Sequence, residues 1–223
     1  MTKSAPGDFE GFGPDLLEFY EGLSADNSKA YWEDHRSIYD TQVGGPAKAL
    51  AAGLAREFGT VRALRPHRDL RFFKDKTPYK TSVALIGDPD AGGSLYFSAS
   101  ADGVDLGGGI YLPAKDQLGR FRELQDDDTA VRSMDTLLTD LDGTGFSIME
   151  RDSLKTAPRG WSSDHPRIEM LRLKHLAVGQ RREPGSWLEN PACLDEVACA
   201  WRQVNRWNLW LAEHLGAGAD LEP

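Results

Sequence analysis

The chain has 223 residues, 40% of them apolar and six of them tryptophan, enough to bury a sizeable core. Its 35 Asp and Glu against 26 Lys and Arg give a formal charge of −9, which argues against a generic nucleic-acid coat. Apolar runs extend only a few residues, so no membrane span or membrane partner is expected.

Met1–Asp8 lacks the apolar region of a secretory leader, and a cytoplasmic location is expected. Phe9–Gly13 leads into a short helix opened by Pro14, with Leu16, Leu17, Phe19, Tyr20 and Leu23 on its apolar face. Ser24 or Asp26 can cap a second helix running to about Gln42, with Tyr31, Trp32, His35, Ile38 and Tyr39 at helical spacing. A third runs from Pro46 to Phe58 and stops at Gly59.

The period then changes to two. Val61–Leu64, Leu70–Phe73 and Lys80–Ile86 read as strands, followed by Leu95–Ser100 and Val104–Leu112 around an Ala101–Gly103 hairpin turn. Gly107–Gly109 inside a strand points to a bulge first, and otherwise to close approach of a ligand or another backbone. Helices follow at about Ala114–Gln125 and Asp128–Leu141, then a short hairpin of Phe146–Met149 with Ser153–Lys155, then a helix from Pro166 to Lys174 capped by Ser163 or Asp164. The last helix has Asn190 as N-cap, Pro191 at its first position and Gly216 at its end. Cys193 and Cys199 lie six apart on it, so they cannot pair and read as buried thiols. Sequential strands between helices give an α+β fold: an antiparallel sheet in the middle of the chain, flanked by N-terminal and C-terminal helices. A single domain over 1–223 is expected, with tails at 1–8 and 217–223.

Two basic blocks stand out. Arg62–Lys80 carries seven Lys/Arg against two Asp, and Arg151–Arg182 eight against three, each a local charge of +5. The guanidinium groups of Arg68 and Arg71 suit bidentate contacts to phosphate or carboxylate. With Leu70–Phe73 as a strand, Asp69 and Arg71 share a face, and Asp69 would orient Arg71 rather than react. Thr77-Pro78-Tyr79 forms an exit turn. In the second block, Arg159, Trp161, Asp164 and His165 fall in a loop, and His165 is the one candidate acid or base beside a basic block. The five histidines (His35, His67, His165, His175, His214) show no zinc spacing and no dinucleotide or phosphate-loop fingerprint appears, so neither metal nor cofactor is expected.

Arg68-Asp-Leu-Arg-Phe-Phe-Lys-Asp-Lys-Thr-Pro-Tyr-Lys80 resembles the signature of the family catalogued as domain of unknown function 2461, departing from it at Phe73, where a small residue is usual. Asp26-Asn-Ser-Lys-Ala-Tyr-Trp32, with Tyr39 beyond it, resembles that family's Asn-rich helix start, and Leu154-Lys-Thr-Ala-Pro-Arg-Gly-Trp161 with His165-Pro166, Leu171 and Lys174 resembles a third segment. The resemblance implies no activity, but it holds Arg68, Asp69, Arg71, Lys74, Asp75, Lys76, Tyr79 and Lys80 together. The leading expectation is a basic pocket for a small anionic ligand such as a phosphorylated metabolite, lined by Arg68, Asp69, Arg71, Lys74, Lys76, Tyr79 and Lys80 on one side and Lys155, Arg159, His165 and Lys174 on the other. Were it an enzyme, His165 or Tyr79 would move the proton. The alternatives are a nucleic-acid-binding module using the same basic residues with aromatic stacking, and a buried ion network beside a protein-interaction surface.

Overall fold

The structure, a computed structural model, describes residues 8–68, 76–89 and 92–219. Helices α1 (Leu16–Ala25) and α2 (Lys29–Ile38) run into a π-helical turn (Tyr39–Gly44) and then α3 (Gly45–Phe58). Strands β1 (Thr60–Ala63), β2 (Val83–Asp88), β3 (Ser94–Ser100) and β4 (Gly103–Ile110) follow. Next come α4 (Lys115–Glu123), α5 (Asp128–Asp142), β5 (Ser147–Ile148), α6 (Ile168–Arg172), β6 (Leu176–Arg182) and α7 (Ala192–Leu215). The strands form one antiparallel sheet in the order β1-β2-β3-β4-β6-β5, between N-terminal and C-terminal helices. The fold is α+β, as the period changes in the sequence require.

Local chemistry sets several boundaries. Ser28, rather than Ser24 or Asp26, caps α2, its hydroxyl accepting the Tyr31 N–H at 3.1 Å, while Asp26 accepts the Ser28 N–H at 3.2 Å. The widened π turn brings Gln42 to the start of α1, where its side-chain oxygen accepts the Asp15 N–H at 3.1 Å and its carbonyl the Gly13 N–H at 2.8 Å. Gly59, at φ +75, ends α3 in a conformation that side chains resist. Asn190 accepts the Ala192 N–H at 2.9 Å, opening α7 at the expected place.

Three expectations change. Strand β2 begins at Val83 rather than Lys80. Strand β5 pairs with β6, Ser147 against Gly179 and Ile148 against Val178, rather than with Ser153–Lys155. The triple glycine serves close backbone approach: a Cβ on Gly107, Gly108 or Gly109 would lie 2.5, 2.0 or 2.2 Å from the carbonyl oxygens of Val178, Ser94 and Leu176. The expected strand Leu70–Phe73 lies outside the described residues.

The chain divides into two compact units. The first comprises Met1–Asp88, Tyr96–Leu106 and Arg181–Cys199. Its core holds Leu16, Phe19, Tyr20, Leu50, Leu54 and Leu85, and Phe12 stacks on Phe97 with ring centres 6.2 Å apart. The second comprises Pro89–Leu95, Gly107–Gln180 and Ala200–Pro223. There Trp207 stacks on Trp210 at 5.4 Å and donates its indole N–H to the Leu176 carbonyl at 3.0 Å. Among the described residues, no helix is long and apolar enough to cross a membrane.

Candidate functional site around Tyr79

The site grows from the place where β1 and β2 outrun their ladder. The two strands pair from Thr60↔Asp88 to Ala63↔Leu85, and Leu64 donates to the Ala84 carbonyl at 2.8 Å. Beyond that the arms meet again at an isolated bridge, His67 against Tyr79, flanked by Arg68 N–H to Pro78 C=O at 2.9 Å and Lys80 N–H to Pro66 C=O at 2.8 Å. Between ladder and bridge the second arm carries two more residues than the first, so Thr81 and Ser82 bulge out and the strand proper starts late. An even offset preserves the alternation of faces. Arg68 and Lys80 therefore share one face of the arms, and His67 and Tyr79 the other.

The face with Tyr79 packs on α2. The Tyr79 ring is 5% exposed and stacks on Trp32 at 4.4 Å with the planes 9° apart. Trp32 is held in turn by Tyr39 at 4.7 Å and by a T-shaped contact with Phe19 at 6.0 Å, and His67 leans on Tyr79 at 5.1 Å. Tyr39 owes its place to the π turn, a distortion often found at functional sites. Burial, and after it the neighbouring Asp40, pushes the Tyr39 hydroxyl up to about 12, so it stays protonated at physiological pH.

The backbone of Tyr79 is gripped as firmly as its ring. Asn27 Oδ1 accepts the Tyr79 N–H at 3.0 Å, and Asn27 Nδ2 donates to the Tyr79 carbonyl at 3.1 Å. The same carbonyl accepts the Arg68 Nε–H at 2.9 Å, which fixes the plane of that guanidinium. On this basic face Lys80 is half-buried, and its pKa is lowered first by that burial and then by the charges of Arg65 and Arg68. Arg65 and Arg68 thus both stand within electrostatic reach of Lys80.

Of the residues expected to line a pocket, Arg68, Tyr79 and Lys80 come together here, and Lys76 is exposed at the start of the second arm. Asp69, Arg71 and Lys74 lie outside the described residues. Tyr79 contributes through its carbonyl, its ring being turned to Trp32. Asn27 was not singled out as a site residue, although it sits in the segment resembling the family's helix start. The signal was an asparagine beside a helix cap with an aromatic five residues on.

The remaining candidates belong to the second unit. Lys155, Arg159 and Lys174 are exposed. His165 Nδ1 accepts the Arg167 N–H at 3.0 Å, which leaves the proton on Nε2 to be donated to Asp126 Oδ1 at 3.0 Å. Both ring nitrogens are engaged, an arrangement suited to buckling the loop rather than to proton transfer. Arg167 extends the buckle with a bidentate pair to Asp135 at 2.8 and 2.7 Å and an Nε–H to Gln125 at 2.9 Å. No side chain caps α6, whose N-cap position is Arg167, and Asp164 instead donates its backbone N–H to Ser162 Oγ at 3.2 Å in a turn. The same unit has an open cleft of about 700 Å³ lined by glycines and by Ile110, Tyr111, Leu112 and Ala212, with no His, Lys, Arg, Asp or Glu among its lining residues. Among the described residues, no group of three His, Cys, Asp or Glu side chains is placed to hold a metal ion.

The segments that meet at Tyr79 (Asn27 to Tyr39, and Arg68 with Tyr79 and Lys80) are those whose sequences resemble one family. No curated protein and no solved structure matches the chain. The family model described as a conserved hypothetical protein matches residues 15–210, most of the chain, which therefore belongs to the conserved hypothetical protein family DUF2461.

Proposed function

We propose that the basic face of the two arms binds a small multivalent anion, a phosphoryl group being the best fit, with Arg68 and Lys80 as direct partners and Arg65 raising the local potential. The observation that carries the reading is the fixed Arg68: its Nε–H is anchored 2.9 Å from the Tyr79 carbonyl, on the face it shares with half-buried Lys80. A guanidinium held in plane loses little freedom on meeting a phosphate or carboxylate. Burial first, and then the charges of Arg65 and Arg68, lowers the Lys80 pKa, a cost to the charged amine that a bound anion offsets. The nucleic-acid alternative is weakened because Tyr79, its nearest stacking ring, is already stacked on Trp32.

Thermal denaturation with inorganic phosphate and a panel of phosphorylated metabolites tests this. A ligand at 100 times its dissociation constant adds about 2.7 kcal/mol. For a chain of this size that corresponds to roughly 5–11 °C in Tm. The shift disappears in Arg68→Ala and Lys80→Ala if the reading is right. Absence of a shift with every anion, or an equal shift in both variants, refutes it.

A further inference from the structure

We infer that Asn27 is a positioning residue for this anion site, acting on Arg68 through the Tyr79 peptide. The inference rests on the reading above and adds to it a residue from another part of the chain.

A carbonyl oxygen offers two lone pairs. At Tyr79 one receives the Arg68 Nε–H at 2.9 Å and the other the Asn27 Nδ2–H at 3.1 Å. Asn27 Oδ1 returns a bond by accepting the Tyr79 N–H at 3.0 Å, so the amide closes a two-bond ring with residue 79. It occupies the position a further strand would take, on the side of the arm away from Pro66–Arg68. The chemistry is selective: an amide presents a donor and an acceptor side by side, a carboxylate cannot donate, and a hydroxyl cannot serve both groups as well. Asn27 stands immediately before the Ser28 cap, and five residues on the same helix lays Trp32 against the Tyr79 ring. One helix start thereby fixes residue 79 by backbone and by ring. Without the amide the carbonyl can still receive Arg68, but two of the hydrogen bonds that set the orientation of residue 79 are lost, and the guanidinium bonded to its carbonyl gains freedom with it. Asn27 need touch no anion for its loss to be felt at the anion.

The test follows the Arg68 side chain directly. In ¹⁵N-labelled protein the Arg68 Nε–H resonance, assigned by its loss in Arg68→Lys, should move and exchange faster with solvent in Asn27→Ala and in the milder Asn27→Ser. Phosphate affinity should fall roughly two- to tenfold, the effect of releasing one rotamer-rich side chain. In the Arg68→Lys background, Asn27→Ala should change phosphate affinity no further. An Arg68 signal identical in wild type and both Asn27 variants overturns the inference, as does an equal loss of affinity in the Arg68→Lys background. If the signal responds while the wild-type protein binds no phosphate, the positioning stands and the anion-site reading falls.

Discussion

Removing the Trp32–Tyr79 stack without disturbing the Tyr79 backbone should cost a measurable, separable amount of stability. The two rings lie parallel to within 9° with centres 4.4 Å apart, and each is 5% exposed. Truncating a buried tryptophan to alanine costs about 3–5 kcal/mol, a large part of a typical total stability, so leucine is the better replacement. The Tyr39 and Phe19 contacts of Trp32 persist when only Tyr79 changes, and Asn27 and Arg68 still hold the residue 79 peptide. A double-mutant cycle of Trp32→Leu, Tyr79→Leu and the pair therefore isolates the ring–ring contribution, expected at about 0.5–1.5 kcal/mol. That is roughly 1–6 °C in Tm, read more directly as urea midpoints at constant m-value. Phosphate affinity should stay within about twofold of wild type in Tyr79→Leu, because the ring occupies the opposite face from Arg68 and Lys80. A coupling energy of zero, or loss of phosphate binding in Tyr79→Leu, would show that the two faces are not the separate structures described above.

Lys80, with its pKa lowered by burial and by Arg65 and Arg68, binds fewer protons in the folded than in the unfolded chain between its folded pKa and the usual 10.5. Stability should therefore rise with pH through that window while phosphate affinity falls, and Lys80→Met should flatten both trends in parallel titrations. Cys193 is buried and its thiol is pushed up to about 12, first by burial and then by Glu196, whereas Cys199 is exposed, contrary to its expected burial. Iodoacetamide should accordingly modify one thiol per native chain, at Cys199, and two after denaturation; two fast native reactions would contradict the placement. Gly108→Ala should be among the most damaging single substitutions, since its Cβ would sit 2.0 Å from the Ser94 oxygen and 2.8 Å from Val204; soluble protein with wild-type Tm would refute that packing.

Elements with strong local signals were legible in the sequence. Helix α7 announces itself by Asn190, Pro191 and Gly216 around a regular apolar stripe, and β3 and β4 by their hairpin turn. Strand β6 was missed because Leu176-Ala-Val-Gly-Gln-Arg-Arg182 buries its first three residues in succession and ends in charge, so neither alternation nor a plain apolar run marks it. The basic stretch was legible as a candidate site by charge alone, but its internal order was not. The two-residue bulge that delays β2 depends on how the arms close, and the turning of Tyr79 toward Trp32 depends on a helix some fifty residues away. Asn27 escaped for the same reason: hydrogen bonds spanning 52 residues leave no periodic trace.

The two-faced arms also bear on how such a protein can change over time. Substitution on the aromatic side is confined to residues that can replace a stacked ring, since Trp32 and Tyr79 support each other. On the other side, positions 68 and 80 are half-buried, and a change of side chain there makes less demand on the packed rings. Selection can therefore revise the chemistry of the basic face while leaving untouched the aromatic platform behind it, and the charged face is free to diverge among proteins that keep the same frame.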